Sequence, residues 1–272
     1  MARLTARRRH LVMATVSVLA LAATIPGCVA MATEDTGAPG RIQGTGKSDG
    51  KPGGTPGTAS PGAGRTTAPA RVSAEISHGS ESKGKVVNIT IDDGPEPVWT
   101  EKVLGLLKRY DVKATFCIVG TRAKEYPALV KKVVAAGHRL CNHSVDHNTA
   151  MDQRSEEYQK EQVLDALKMI RDAAGKDVEV RYYRAPGGAF TPYSREVAAS
   201  HGMRPLGWSV DTHDWQNPGS ARIVETVKRD LREGPTVLFH DGGGNRSQTV
   251  TALEELLPWL KDQGYAFAFP EI

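Results

Sequence analysis

Past Gly84, short runs of β-branched and aromatic residues alternate with segments whose apolar positions recur at helical spacing. VVNITID (86–92) reads as a strand, and Val103, Leu104, Leu106 and Leu107 give 98–110 the period of a helix. A strand KATFCIVG (113–120), a helix 127–136 stopped by Gly137, a strand HRLCNH (138–143) and a helix 155–174 stopped by Gly175 come next. The strand RYYRAP (181–186), helix 193–200, strand MRPLGWSVD (203–211), helix 221–232, strand TVLFHD (236–241), helix 249–263 and strand YAFAFPE (265–271) complete the pattern. Strands in strict alternation with helices predict a parallel sheet with right-handed helical crossovers.

An open doubly wound sheet and a closed barrel both fit that alternation. The polar residues separate them: Asp92 and Asp93, His143, Arg184, Asp211 and His240 each fall at the C-terminal end of a different predicted strand. Barrel strands bring those ends to one face, where active sites are built, whereas a wide sheet spreads them apart. The expected fold is therefore an α/β distorted barrel of seven strands over residues 85–272.

The chain ahead of it has another texture. Residues 1–27 carry Arg3, Arg7, Arg8 and Arg9 with no acid, then 17 uncharged residues from Leu11 to Gly27. That order is the order of an export signal, and the uncharged stretch is shorter than the ~20 residues of a membrane-spanning helix. Ile25-Pro26-Gly27-Cys28 resembles a lipoprotein box, which would leave the protein membrane-anchored through lipid on Cys28. Cleavage after Ala30-Met31-Ala32 is the alternative, and Arg8-Arg9 is also compatible with a twin-arginine signal. From Gly37 to Gly64 there are ten Gly, four Pro and five Ser or Thr, with Ile42 the one large apolar residue. Such a segment buries too little to offset its chain entropy, so 28–84 is expected to be a disordered linker.

Charge narrows the partners. The four arginines of residues 1–27 account for the whole net charge of +4, so no basic stripe is left for a nucleic acid. With 39% hydrophobic and 24% charged residues, a multi-span membrane protein is excluded. Of three cysteines, Cys117 and Cys141 fall in successive predicted strands, and either a bridge or two buried thiols suits them.

Candidate chemistry sits in five places. TIDDGP puts two carboxylates at a strand end before a Gly-Pro that can turn the chain, so Asp92 and Asp93 can face different ways; a helix cap is the alternative. His143 and His147 form an HxxxH, and one helical turn after the strand would put both imidazoles on one ion. With Asp93 they make a three-ligand site for a divalent metal, zinc first. Arg184 in RAPGG, Asp211 and Asp214 in DTHDW, and His240 in LFHDGGG complete the set, His240 being suited to acid catalysis. No GxSxG occurs within 85–272, between a predicted strand and a helix, which excludes a serine-hydrolase elbow there. His78, His138, His201 and His213 have no such company and read as surface or loop residues.

TIDDGP, HSVDH, RAPGG, DTHDW and LFH, in this order across 86–241, resemble the five motifs of the NodB-like polysaccharide deacetylases, carbohydrate esterase family 4. The resemblance implies a distorted (β/α) barrel, a divalent metal, usually zinc, and hydrolysis of acetyl groups on a glycan. By it Asp92 matches the base that takes a proton from the attacking water, and Asp93, His143 and His147 match the metal ligands. Arg184 matches the residue that holds the base, His240 the acid, and Asp214, with Asp211 as a second candidate, the carboxylate that tunes it. Trp215 and Leu238 match the apolar walls around the acetyl methyl. Many members carry an aromatic where this chain has Gly187, whose backbone N–H can still face the oxyanion.

The expected function is removal of N-acetyl groups from peptidoglycan or chitin oligomers by an exported protein, extracellular or held at the cell surface. An O-acetyl xylan esterase with the same site and a non-catalytic glycan-binding wall protein are the rivals.

Overall fold

The computed structural model describes residues 70–272. The export signal, Cys28 and residues 28–69 of the expected linker lie outside them. Eight strands and seven α-helices follow in the order β1 (Val86–Asp92), α1 (Trp99–Arg109), β2 (Thr115–Ile118), α2 (Gly120–Glu125), α3 (Pro127–Ala135), β3 (Arg139–Asn142), α4 (Glu156–Ala174), β4 (Val180–Tyr183), α5 (Pro192–Ser200), β5 (Arg204–Pro205), β6 (Val210–Asp211), α6 (Ser220–Asp230), β7 (Thr236–His240), α7 (Ser247–Asp262) and β8 (Ala266–Phe267).

Local chemistry sets several of these boundaries. Ser155 caps α4 by accepting the Tyr158 N–H, with Glu156 and Glu157 in its positive first turn, and Gly175 ends it at φ 120°. Thr191 and Ser194 form a reciprocal capping box at the start of α5, and Pro192 occupies a position where no N–H is needed.

All strand pairs are parallel, in the order β5-β4-β3-β2-β1-β7-β6, with β8 against Val86–Val87 of β1. The expected strand 203–211 is two strands, β5 and β6, which form opposite edges of the sheet. Four residues, Leu206–Ser209, join them, a reach of at most about 18 Å, so the sheet must curl until its edges nearly meet. The result is a curled half-barrel, the distorted (β/α) barrel expected, with a seam in place of one ladder. Helix α2 was not expected; its six residues are too few to show a period. The closing strand shrinks from 265–271 to two residues.

Residues 70–84 correct the expected linker boundary. Ser77 N–H donates to Pro205 O and Ser77 O accepts from Gly207 N–H, both at 2.8 Å, while Thr236 Oγ1 donates to His78 O at 2.9 Å. The segment thus lies along the seam, hydrogen-bonded to β5, to the crossing that follows it and to β7.

Register divides the sheet into two faces. Val87, Ile89 and Ile91, with Phe116, Leu140, Val237 and Phe239, point outward into the main core with the helices. The opposite face carries Asn88, Thr90 and Asp92 of β1, which pair with Thr236, Leu238 and His240 of β7. Cys117 and Cys141 lie in register there and form a disulfide, packed with Tyr182 and Leu206 in a small separate cluster. His138, expected at the surface, is buried: its Nδ1 accepts the Ala114 N–H, and burial pushes its pKa down to about 4.

Candidate active site

The inward face of the barrel ends at the top in charged residues. Asp92 closes β1 and is 2% exposed; Arg184, just past β4, is fully buried beside it. Arg184 Nη1 donates to Asp92 Oδ1 at 2.7 Å and to Thr90 Oγ1 at 3.0 Å. Its Nε and Nη2 donate to Leu206 O and Gly207 O, at 3.1 and 2.8 Å, in the crossing from β5 to β6. A buried charge pair needs such full satisfaction to be tolerated. Asp92 Oδ2 is left toward the cavity, 3.5 Å from His143 Nε2.

Asp93 turns away from Asp92 because its backbone is left-handed, φ 76°, just before Gly94 and a cis Pro95. Its Oδ1 lies 3.4 Å from His143 Nε2 and 3.1 Å from His147 Nε2. The loop between the histidines is not the helical turn expected: Ser144 and His147 are left-handed, at φ 65° and 60°. Side chains shape it instead, with Ser144 N–H on Asn142 Oδ1, Val145 N–H on Gln162 Oε1 of α4, and His147 N–H on Ser144 Oγ.

These three residues fit a divalent cation. His143 Nδ1 donates to Arg184 O at 2.7 Å, and a carbonyl can only accept, so a neutral His143 aims the lone pair of Nε2 at Asp93. Asp93 Oδ1 is buried without a hydrogen-bond partner. The ligand atoms of Asp93, His143 and His147 all lie within 4.8 Å of one another. Donors on a tetrahedral ion at ~2.0–2.1 Å stand about 3.3–3.4 Å apart, close to the spacings seen. Lone pairs converging on a carboxylate repel unless a positive charge sits among them. Titration has the same sign: burial pushes His147 down, yet Asp93 and Asp92 leave it raised, while Asp93, itself raised by burial, is held well below its usual range by the two imidazoles.

Across the cavity His240 ends β7. Its Nδ1 is 2.6 Å from Asp214 Oδ1, and its backbone N–H donates to Asp214 Oδ2 at 2.9 Å. Thr249 Oγ1 donates to the same Oδ2 at 2.7 Å. Burial alone would lower His240, but Asp214, Asp93 and Asp92 outweigh it and raise it to about 9, so the ring is protonated at neutral pH. Asp211, the other candidate partner, does not reach His240; its Oδ1 accepts the His213 N–H at 2.8 Å and shapes the turn.

Of the eleven residues singled out, ten line one cavity of about 420 Å³, Trp215, Leu238 and Gly187 among them, and Asp214 stands behind His240. Sequence reasoning missed four neighbours. Thr149, Trp208 and Arg246 also line the cavity, and Asp241 is fully buried, with Thr100 Oγ1 donating to its Oδ2 at 2.6 Å. Burial, then Asp93 and Asp92, raise Asp241 to about 7. The signal for two of them was in HDGGGNR: an acid next to His240, and an arginine in the glycine-rich turn that follows.

A model of the polysaccharide deacetylase family matches residues 79–206. A peptidoglycan-N-acetylglucosamine deacetylase of Bacillus cereus is 40% identical over 185 residues, 67% of this chain and 85% of that protein. A chitooligosaccharide deacetylase of Sinorhizobium fredii is 39% identical over 66% of this chain and 87% of that protein. Among solved structures, a family 4 carbohydrate esterase pseudoenzyme from Bacillus anthracis is similar with a TM-score of 0.66 and 30% identity, over 72% of this chain and 67% of that one. A mutant of it with restored enzymatic activity matches with the same score.

Proposed function

This chain belongs to the polysaccharide deacetylase family, carbohydrate esterase family 4, and from that premise we propose that it removes N-acetyl groups from a glycan containing N-acetylglucosamine, peptidoglycan or chitin oligomers, with the help of a divalent metal. Two imidazole nitrogens and one carboxylate oxygen make zinc the proposed ion. Held by Asp93, His143 and His147, such an ion supplies Lewis acidity toward the acetyl carbonyl and acidifies the attacking water.

The protein's own groups divide the proton traffic. Asp92, fixed through Oδ1 by Arg184, takes the proton of the attacking water through Oδ2, the oxygen left toward the cavity. His240, with Nδ1 on Asp214, delivers a proton from Nε2 to the departing nitrogen. An amine leaves poorly as an anion, so a protonated acid is what an amide substrate demands. Gly187 offers its N–H to the developing oxyanion, and Trp215 and Leu238 enclose the acetyl methyl.

One observation carries the reading: a base on its arginine, an acid on its carboxylate and three converging metal donors surround a single cavity. Because the family contains a pseudoenzyme, the shared fold alone would be weaker support. Export rests on residues 1–32, with lipid on Cys28 holding the domain at the cell surface as part of the same proposal.

Acetate release from N-acetylated chitooligosaccharides, peptidoglycan and acetylxylan, compared side by side on metal-loaded and chelator-stripped protein, is the test. Release from the first two that returns with added zinc supports the reading. Acetylxylan as the one substrate makes the protein an esterase, and no release from any of the three leaves a glycan-binding protein.

A further inference from the structure

Beside Arg184 the cavity wall is bare backbone. Gly187 and Gly188 are both left-handed, φ 59° and 74°, so side chains there would be strained. The space they leave is already taken. A Cβ on Gly187 would stand 3.2 Å from Cβ of Thr149, and one on Gly188 would stand 3.1 Å from Cη2 of Trp208. Thr149 and Trp208 both line the cavity.

Trp208 is held from three directions. The tip of its six-membered ring rests on Gly188, the Arg184 guanidinium lies 5.6 Å from its ring centre, and its carbonyl oxygen accepts a hydrogen bond from His78 Nδ1 at 2.9 Å. It therefore costs little conformational entropy to use as a binding surface. It stays half-buried and lines the cavity.

A pyranose ring has an apolar face of C–H groups, which packs on an aromatic ring while its hydroxyls and acetamido group stay polar. We propose that Trp208 is a specificity-determining residue: its indole packs on a pyranose ring of the glycan, and with Thr149 it forms the wall that glycine at 187 and 188 cannot. Such contact carries information about the sugar and little about the acetyl group, so Trp208 selects glycan over small acetylated compounds. The inference deepens the glycan reading given above and rests on it.

Trp208→Ala, Trp208→Leu and Trp208→Phe are compared with the unaltered protein on N-acetylated chitotetraose and on 4-nitrophenyl acetate. The Ala and Leu variants should lower kcat/KM for the tetramer at least ten times more than for the aryl ester, mainly through KM, and Phe should recover most of the difference. Leu keeps an apolar side chain over Gly188, so a fall shared by Leu reports the lost aromatic face even if Ala disturbs the fold. Binding of chitotetraose to Asp92→Asn, alone and combined with Trp208→Leu, gives the same comparison without turnover and should weaken about tenfold. Equal losses on both substrates, or unchanged affinity, overturn the assignment of Trp208. Failure of the unaltered protein both to bind and to deacetylate the tetramer sinks the glycan reading itself, and this inference with it.

Discussion

His240 and Asp214 meet twice: one carboxylate oxygen of Asp214 takes the ring Nδ1 at 2.6 Å and the other takes the backbone N–H of the same histidine at 2.9 Å. The double contact fixes ring and backbone together, leaves Nε2 for the cavity and raises the ring to about 9. As an acid, His240 must carry its proton, so kcat should fall as pH rises through about 9. In Asp214→Asn the attraction is lost and burial is not, so that alkaline limb should move down toward or below the ordinary 6.5. Turnover at neutral pH should drop about 10²–10⁴-fold, the range for removing a positioned acid. The linkage has a matching sign: a histidine raised on folding adds stability below 6.5 that disappears as pH climbs through about 9. A pH–rate profile of both proteins decides it, and an unmoved alkaline limb would show that His240 is not the acid.

Asp92 and Arg184 form the other coupled pair, buried and joined at 2.7 Å. Asp92→Asn keeps the shape and removes the proposed base, so acetate release should fall at least about 10³-fold while metal content, which the proposal assigns to Asp93, His143 and His147, stays normal. It also leaves the Arg184 charge uncompensated, which should cost about 3 kcal/mol of stability. Metal analysis and a denaturant melt on one preparation separate the effects. Near-normal turnover would remove Asp92 from its role.

How much of this was legible depended on whether a feature is local. Asp92, His143, Arg184 and His240 could be placed because each closes a strand whose apolar alternation is strong, and a parallel fold gathers strand ends. That Asp92 and Asp93 face different ways was readable because Gly94-Pro95 marks the turn. The split of 203–211 was not, since Pro205, Leu206, Trp208 and Val210 read like an uninterrupted strand; the break comes from curling of the whole sheet. Trp208 was hidden by the same error. Asp214 was preferred to Asp211 by family resemblance, and only the distance to His240 separates them. In the strap of residues 70–84 the alternation of half-buried Val72, Ala74 and Ile76 with exposed Arg71, Ser73 and Glu75 is short and follows directly on the glycine-rich run, and the bonds of Ser77 to Pro205 and Gly207 are made by backbone atoms that no side-chain pattern reports.

The disulfide pins two neighbouring strands directly beneath this cluster, with Cys117 in register with Asp92. A bridge between positions 24 residues apart removes enough freedom from the unfolded chain to be worth about 3–4 kcal/mol. Urea unfolding with and without reductant should therefore show a clear fall in midpoint, repeated by Cys117→Ser/Cys141→Ser without reductant. Superimposed curves would mean that the bridge adds nothing to folding.

The strap supplies a test of the corrected domain boundary. Ser77 binds Pro205 and Gly207, and the carbonyl of Gly207 in turn holds Arg184, which holds Asp92. Asn88 Nδ2 adds a bond to Gly79 O at 3.0 Å within the barrel. A chain beginning at Lys85 loses the bonds made by Ser77, His78 and Gly79, at about 1 kcal/mol for each net hydrogen bond, and should be less stable by about 3–5 kcal/mol than one beginning at Ala70. Because the loss propagates to Arg184, its kcat should fall while its metal content holds, and the deficit should persist at temperatures where both chains remain folded. Equal melting temperatures and equal kcat for the two chains would return residues 70–84 to the linker.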